Sequence, residues 1–180
     1  MKRFIITGAP GAGKTAIIRQ LELEGYGVVE EAATDVIAVA QARGIAEPWR
    51  DASFIEAITN LQRLRLRRAC HQPEDIQFHD RSPICTAALA VYLGYDFPPV
   101  LKRELERVRD EAVYERGVFF VRNLGFIKPT AARRITFEET LRFEQIHEDT
   151  YRSFGYELIS VPAGNLLERV GTITAGLELK

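Results

Sequence analysis

Residues 8–15 read Gly8-Ala9-Pro10-Gly11-Ala12-Gly13-Lys14-Thr15 and satisfy G-x-x-x-x-G-K-[ST], the phosphate-binding P-loop pattern. Its glycines let successive backbone N–H groups turn inward around phosphate oxygens. The lysine reaches the β- and γ-phosphates, and the Thr15 hydroxyl can ligate Mg2+. So short a pattern arises by chance, and its flanks decide whether it is real. Before it stands Arg3-Phe4-Ile5-Ile6-Thr7, an apolar run rich in strand formers. After it, Ala16 to Glu24 reads as a helix stopped by Gly25. The loop therefore opens a helix, and that helix aims its positive end at the anion. Residues Ala9 to Ala16 are the expected nucleotide contacts.

The same reading continues along the chain. Tyr26-Gly27-Val28-Val29-Glu30 is a second strand, and Glu31 to Arg43 a helix ended by Gly44. Ile45 to Arg50 is a loop. Asp51 or Ser53 caps a long helix to about His71, with Phe54, Ile58, Leu61 and Leu64 on one face. Ile76 to His79 is a third strand, ending at Asp80. Ser82-Pro83 opens a helix with Ser as N-cap and Pro in the first turn. A further helix is expected over Pro99 to Glu115 and a buried strand over Gly117 to Arg122. A polar, basic loop runs from Asn123 to Ile135. Thr136 caps a helix from Phe137 to about Ser153, with Glu139 placed for a capping box. Tyr156 to Val161 is the fifth strand, and Asn165 starts the last helix. Strands alternating with helices predict an α/β fold: a parallel sheet in a three-layer sandwich, with ligands at the carboxyl ends of the strands. Glu30, Asp80 and Asn123 each follow a strand, as the P-loop does, so they converge on one crevice.

Composition narrows the function classes. With 180 residues, 46% hydrophobic and 27% charged, the chain reads as one ordinary globular domain over 1–180. A net charge of −1 carries no strong nucleic-acid signal. Cys70 and Cys85 are too few for a disulfide framework and suit a reducing, cytoplasmic setting. No apolar run approaches the ~20 residues of a membrane span. The Met1-Lys2-Arg3 start fits a first strand better than a signal peptide.

Phosphoryl transfer needs positioned phosphates, a metal, cations over the developing charge and a group that orients the nucleophile. Lys14 supplies a cation and Thr15 a metal ligand. Asp80, ending a buried strand, is the second metal-ligand and catalytic candidate. Glu30 or Glu31 can take a proton from an acceptor hydroxyl or hold metal-bound water; Glu31 is also a favourable helix-start residue. Arg133 and Arg134 fit lid cations closing over ATP, within a lid at about 123–136. Trp49 is either a ring-stacking contact to substrate or a packing anchor. Arg63, Arg65, Arg67 and Arg68 read mainly as a solvated helix face, and His71, His79 and His147 as structural residues without metal spacing.

Taken in order, Ile5 to Thr15, Val29-Glu30-Glu31-Ala32-Ala33, Asp80-Arg81-Ser82-Pro83, Arg133 to Glu139 and Gly155 to Pro162 resemble the kinase-like branch of P-loop NTPases. They are most similar to a family of small AAA-domain ATPases related to the nicotinamide-riboside kinase domain. The resemblance covers nearly the whole chain. It implies a five-stranded sheet in the order 2-3-1-4-5 with a lid. It also implies Asp80 near metal, Arg81 near phosphate or acceptor substrate, and Glu30 or Glu31 at the acceptor. Lid arginines fall at Arg133 and Arg134, and the Pro162–Asn165 loop, with Pro162 and Ala163, flanks the adenine. Two positions depart from the family pattern: Thr34-Asp35 where an arginine is common, and Ala131-Ala132 where an acid precedes the arginine pair. The expected activity is a Mg2+- and ATP-dependent phosphotransferase acting on an unidentified small-molecule acceptor, nucleoside- or nucleotide-like, as a monomer or homodimer. The alternative is an ATPase or nucleotide-dependent switch working through a protein partner. With no Asp-Glu strand end and no Asn-Lys-x-Asp signature, a hexameric motor and a GTPase are disfavoured.

Overall fold

The computed structural model describes residues 1–124 and 136–178. Its strands are β1 (Lys2–Thr7), β2 (Gly27–Val29), β3 (Ile76–Asp80), β4 (Gly117–Val121) and β5 (Glu157–Val161). They form one five-stranded sheet in the order β2-β3-β1-β4-β5, with every pairing parallel. The helices are α1 (Lys14–Leu23), α2 (Ala32–Ala42), α3 (Ser53–Ala69), α4 (Pro83–Leu93), α5 (Pro99–Asp110), α6 (Phe137–Ser153) and α7 (Leu166–Glu178). A short 3-10 turn, Pro48–Arg50, lies inside the expected loop.

Period-two alternation along the central strands sorts the core into two layers. Phe4, Ile6, Phe78, Phe119 and Val121 point to one face and pack with Ile17, Ile18 and Leu21 of α1 and Val170 and Ile173 of α7. Ile5 and Val118 point to the other, against residues of α4, α5 and α6 that include Ile84, Leu101, Leu105 and Tyr151. This is the three-layer, doubly covered sheet expected of apolar parallel strands. A smaller cluster of Ala32, Phe54 and Ile58, with Trp49 against it, seats α2 on α3.

Most boundaries agree with the sequence reading to within two residues. The exception is α5, which stops at Asp110 rather than Glu115. Ala112 takes a left-handed backbone (φ 46), and Glu115 already donates its N–H to the Arg3 carbonyl of β1, so the chain has turned back to the sheet. The capping box expected at Thr136 is present, and the structure adds a second one before α7. Thr136 and Glu139 exchange side-chain–backbone bonds at the start of α6, as do Asn165 and Glu168 before α7. No helix among the described residues is long and apolar enough to cross a membrane.

Phe119 is fully buried, its ring 5.9 Å from that of Phe4, and a Cβ on Gly176 would stand 2.8 Å from its Cε1. Phe119→Ala is expected to destabilise the fold by about 3–5 kcal/mol. A urea titration checks this through a lower midpoint at unchanged slope.

Candidate active site

All five strands deliver their carboxyl ends to one edge of the sheet. The β1–β3 register sets Ile6 opposite Asp80, and the Arg81 amide donates to the Ile6 carbonyl at 3.0 Å. The last residue of β3 therefore lies beside the chain as it enters the P-loop. Val121 of β4 is next to it on the other flank: a Cβ on Gly8 (φ 136) would stand 2.2 Å from the Val121 carbonyl oxygen. Only glycine lets the loop leave β1 at that point. At the loop's end Gly13 (φ 86) caps α1 with no side-chain bond to the first turn. Those first N–H groups keep no intrahelical acceptor and present a ready anion cradle. Thr15 and Ala16 stand exposed on that turn, while Lys14 is buried.

Lys14 Nζ donates to the Gly8 and Ala9 carbonyls at 3.1 and 3.0 Å. Burial and the nearby Arg81 charge pull its pKa down to about 8, with Asp80 and Glu31 resisting. Asp80 is buried, and its Oδ1 has no hydrogen-bond partner. Burial and the neighbouring Glu31 carboxylate push its pKa up, and Lys14 and Arg81 oppose them. An orphaned, buried carboxylate oxygen at a phosphate cradle suits Mg2+, which takes one or two carboxylates plus substrate phosphates. Among the described residues no cluster of three or more His, Cys, Asp or Glu is placed to hold a metal ion.

Arg81 ties the acidic residues together. Its backbone is left-handed (φ 71), a conformation that costs a non-glycine residue about 1–2 kcal/mol. The turn sends its side chain back across the strand ends, where Nε donates to Glu31 Oε1 at 2.5 Å. Burial opposes both charges of that pair. The mutual attraction prevails: the Arg81 pKa is raised, and Arg81, Lys14 and a 2.9 Å bond from Thr34 hold the Glu31 carboxyl down to about 2. Arg81 Nη1 also meets His147 Nε2 at 3.3 Å. His147 Nδ1 lies 3.1 Å from the Phe143 carbonyl, which only accepts, so Nδ1 carries the proton and Nε2 is free to accept from Arg81. Burial and the adjacent Arg81 charge keep that imidazole neutral.

The family match sits on this frame. The AAA-domain family model matches residues 3–169. The chain belongs to that family. No curated protein sequence matches it significantly. Among solved structures, this AAA-domain chain is similar to deoxyadenosine kinase from M. mycoides with products dCMP and dCDP bound (TM-score 0.63, 12% identity, 99% of this chain and 100% of that one). It is also similar to NadR in complex with NAD and AMP-PNP (TM-score 0.68, 19% identity, 98% of this chain). The chain spans about half of NadR, 49% of its length. At these identities the likeness establishes the fold, that of a kinase-like P-loop NTPase.

Against the sequence reading, the AAA-domain chain separates residues that looked equivalent. Glu31 joins Lys14, Asp80 and Arg81, whereas the next residue back, Glu30, points outward and pairs with Arg19 of α1. Arg65 serves this turn by donating to the Glu30 and Glu31 carbonyls and pairing with Asp35; it is no idle surface charge. Trp49 packs beside Phe54 and Ile58, and its carbonyl accepts from the Tyr95 hydroxyl at 3.0 Å. Pro162 and Ala163 are exposed directly after β5, whose last residue pairs with Val121. Arg133, Arg134 and most of the expected lid, 125–135, lie outside the described residues.

Sequence reasoning missed His147 and the buried network behind it. Tyr151 shares 2.8 Å hydrogen bonds with Ser82 and with Cys85, and Cys85 meets Thr7 at 3.1 Å. The signal was present: Phe143, His147 and Tyr151 recur every four residues on α6, which puts two polar groups on its buried face.

Two outcomes are expected. Glu31→Gln leaves Arg81 without its carboxylate; since Glu31 is one-quarter exposed, the loss is about 2–3 kcal/mol, below that of a fully buried pair. Because the folded Glu31 pKa lies below its ordinary 4.5, the stability gap from wild type is full above pH 4.5 and closes as pH falls toward 2, which urea melts at several pH values read directly. Lys14 at about 8 is charged below that pH and loses its proton as pH rises through it. Phosphate binding favours the charged form. Calorimetry of Mg·ATP in buffers of different ionisation heat should therefore show proton uptake near pH 8, little at pH 6.5, and weaker binding above pH 8.

Proposed function

We propose that this chain is a Mg2+- and ATP-dependent phosphotransferase that moves the γ-phosphate of ATP to a hydroxyl or phosphate of a small, nucleoside- or nucleotide-like acceptor. The observation that carries this reading is the meeting of Lys14, Asp80 and the Glu31–Arg81 pair beside the P-loop. Glu31 sets a second carboxylate near Asp80 that can orient an acceptor oxygen, and Arg81 adds a cation that can face the charge on it. Similarity of fold to a deoxyadenosine kinase and to NadR supports the same direction.

In this reading the amides from Gly11 to Ala16 and Lys14 hold the phosphates. Thr15 and Asp80 are the residues that would hold Mg2+, which when bound neutralises charge on the β- and γ-phosphates. Glu31 orients the acceptor oxygen. That oxygen forms a bond to the γ-phosphorus as the bond from phosphorus to the β,γ-bridging oxygen breaks and ADP leaves. The acceptor's proton passes to a carboxylate at the site. Arg81, fixed by Glu31 and His147, faces the transferred group or the acceptor. Arg133 and Arg134 close as lid cations, and Pro162 and Ala163 flank the adenine. Loose phosphoryl-transfer transition states ask mainly for positioning and charge, which these residues provide.

Lys14→Ala is expected to abolish measurable ATP binding or turnover. Wild-type ADP release should be slow in ATP alone and rise on adding one member of a panel of nucleosides, nucleotides, nicotinamide riboside and sugars. ADP release indifferent to every small acceptor, but raised by a protein fraction, would instead establish the ATPase-switch alternative.

A further inference from the structure

Arg169 stands in the first turn of α7, 4% exposed. Its Nη2 donates to the Arg122 carbonyl at 3.1 Å, and its Nε is buried without a hydrogen-bond partner. Nη1 lies against the P-loop: a Cβ on Gly13 would stand 2.9 Å from it. Arg81, by contrast, with its side chain 10% exposed, has Glu31 beside it. Among the described residues no carboxylate pairs with Arg169. Burial is the one influence that shifts its pKa, and the shift is downward.

Holding a guanidinium out of water without an anion is strongly unfavourable. This chain does so where the unsatisfied amides at the start of α1 also gather, beside the glycine that caps that helix. Cation and amides call for the same partner, an anion on the loop. The side chain also suits a divided task. A guanidinium can keep one nitrogen on the Arg122 carbonyl while offering others to an oxyanion, whereas a lysine ammonium is a single point charge.

We propose that Arg169 donates to a phosphate of the nucleotide held by the P-loop, a fixed cation supplied by α7 in addition to Lys14. The inference rests on the nucleotide reading of the site. It extends the phosphate site to a residue far along the chain that no loop motif contains.

Titration calorimetry of Mg·ATP and of Mg·tripolyphosphate, with thermal melting of the free protein, tests it. In Arg169→Met both ligands should bind at least about tenfold more weakly, as for a lost charge-assisted hydrogen bond. The free protein should melt at the same temperature or higher, because an unpaired buried charge has been removed. Unchanged affinity for both ligands overturns the proposal. So does a loss confined to ATP, which would mark a contact to base or ribose. A lower melting temperature with unchanged affinity overturns it as well, leaving Arg169 as a brace for Arg122. Should Arg169→Met not fold, Arg169→Lys keeps the charge but replaces the three spread nitrogens of the guanidinium with one, and the same tenfold criterion applies to it. If the wild-type protein binds neither ligand, the nucleotide reading itself fails. If it binds both and the variants bind equally well, only the role of Arg169 falls.

Discussion

The parallel pairing of β1 with β3, with Ile6 level with Asp80, is the constraint on which the rest of the site depends. It places an acid from the middle of the chain next to a loop from its start. The backbone bond from Arg81 to Ile6 extends that pairing by one residue and fixes where the turn after β3 begins. β4 sets the opposite flank, where Val121 crosses Gly8 so closely that a side chain there has no room. The site is thus a product of strand register, and the buried aromatic cluster of Phe4, Phe78 and Phe119 beneath it keeps that register from slipping.

Electrostatics then divides the labour among neighbouring residues. Two cations and two carboxylates share a poorly solvated space, and their protonation states are set against one another. Glu31 is held ionised by Arg81 and Lys14, while Asp80, carrying an unpaired buried oxygen, is pushed the other way. The left-handed backbone of Arg81 is affordable because Glu31 and His147 hold its side chain from two sides. That clamp joins α6, which follows the basic segment, to the strand ends.

How legible this was in the sequence depended on the range of the signal. The P-loop, the order of elements and the capping box at Thr136 are local patterns, and all were readable from residue spacing. The pairing of Glu30 with Arg19, in contrast to that of Glu31 with Arg81, was not, since two adjacent glutamates in a turn look alike until the turn has a shape. His147 and Arg169 had partners that were hidden for a different reason, although the spacing on α6 already set His147 on a buried face. Each matters through a contact with a residue at least 66 positions away, and each looks in isolation like an ordinary polar residue on an amphipathic helix. The early end of α5 followed from the left-handed Ala112, where no glycine or proline marks the stop.

The account claims that the carboxyl ends of these strands form one polyphosphate–metal site. A crystal structure of the whole chain with Mg·AMP-PNP tests that most directly. The account predicts phosphates on the loop amides between Gly11 and Ala16 and a metal between the Thr15 hydroxyl and Asp80. Nucleotide bound elsewhere, or phosphates on the loop with Asp80 remote from the metal, would contradict it.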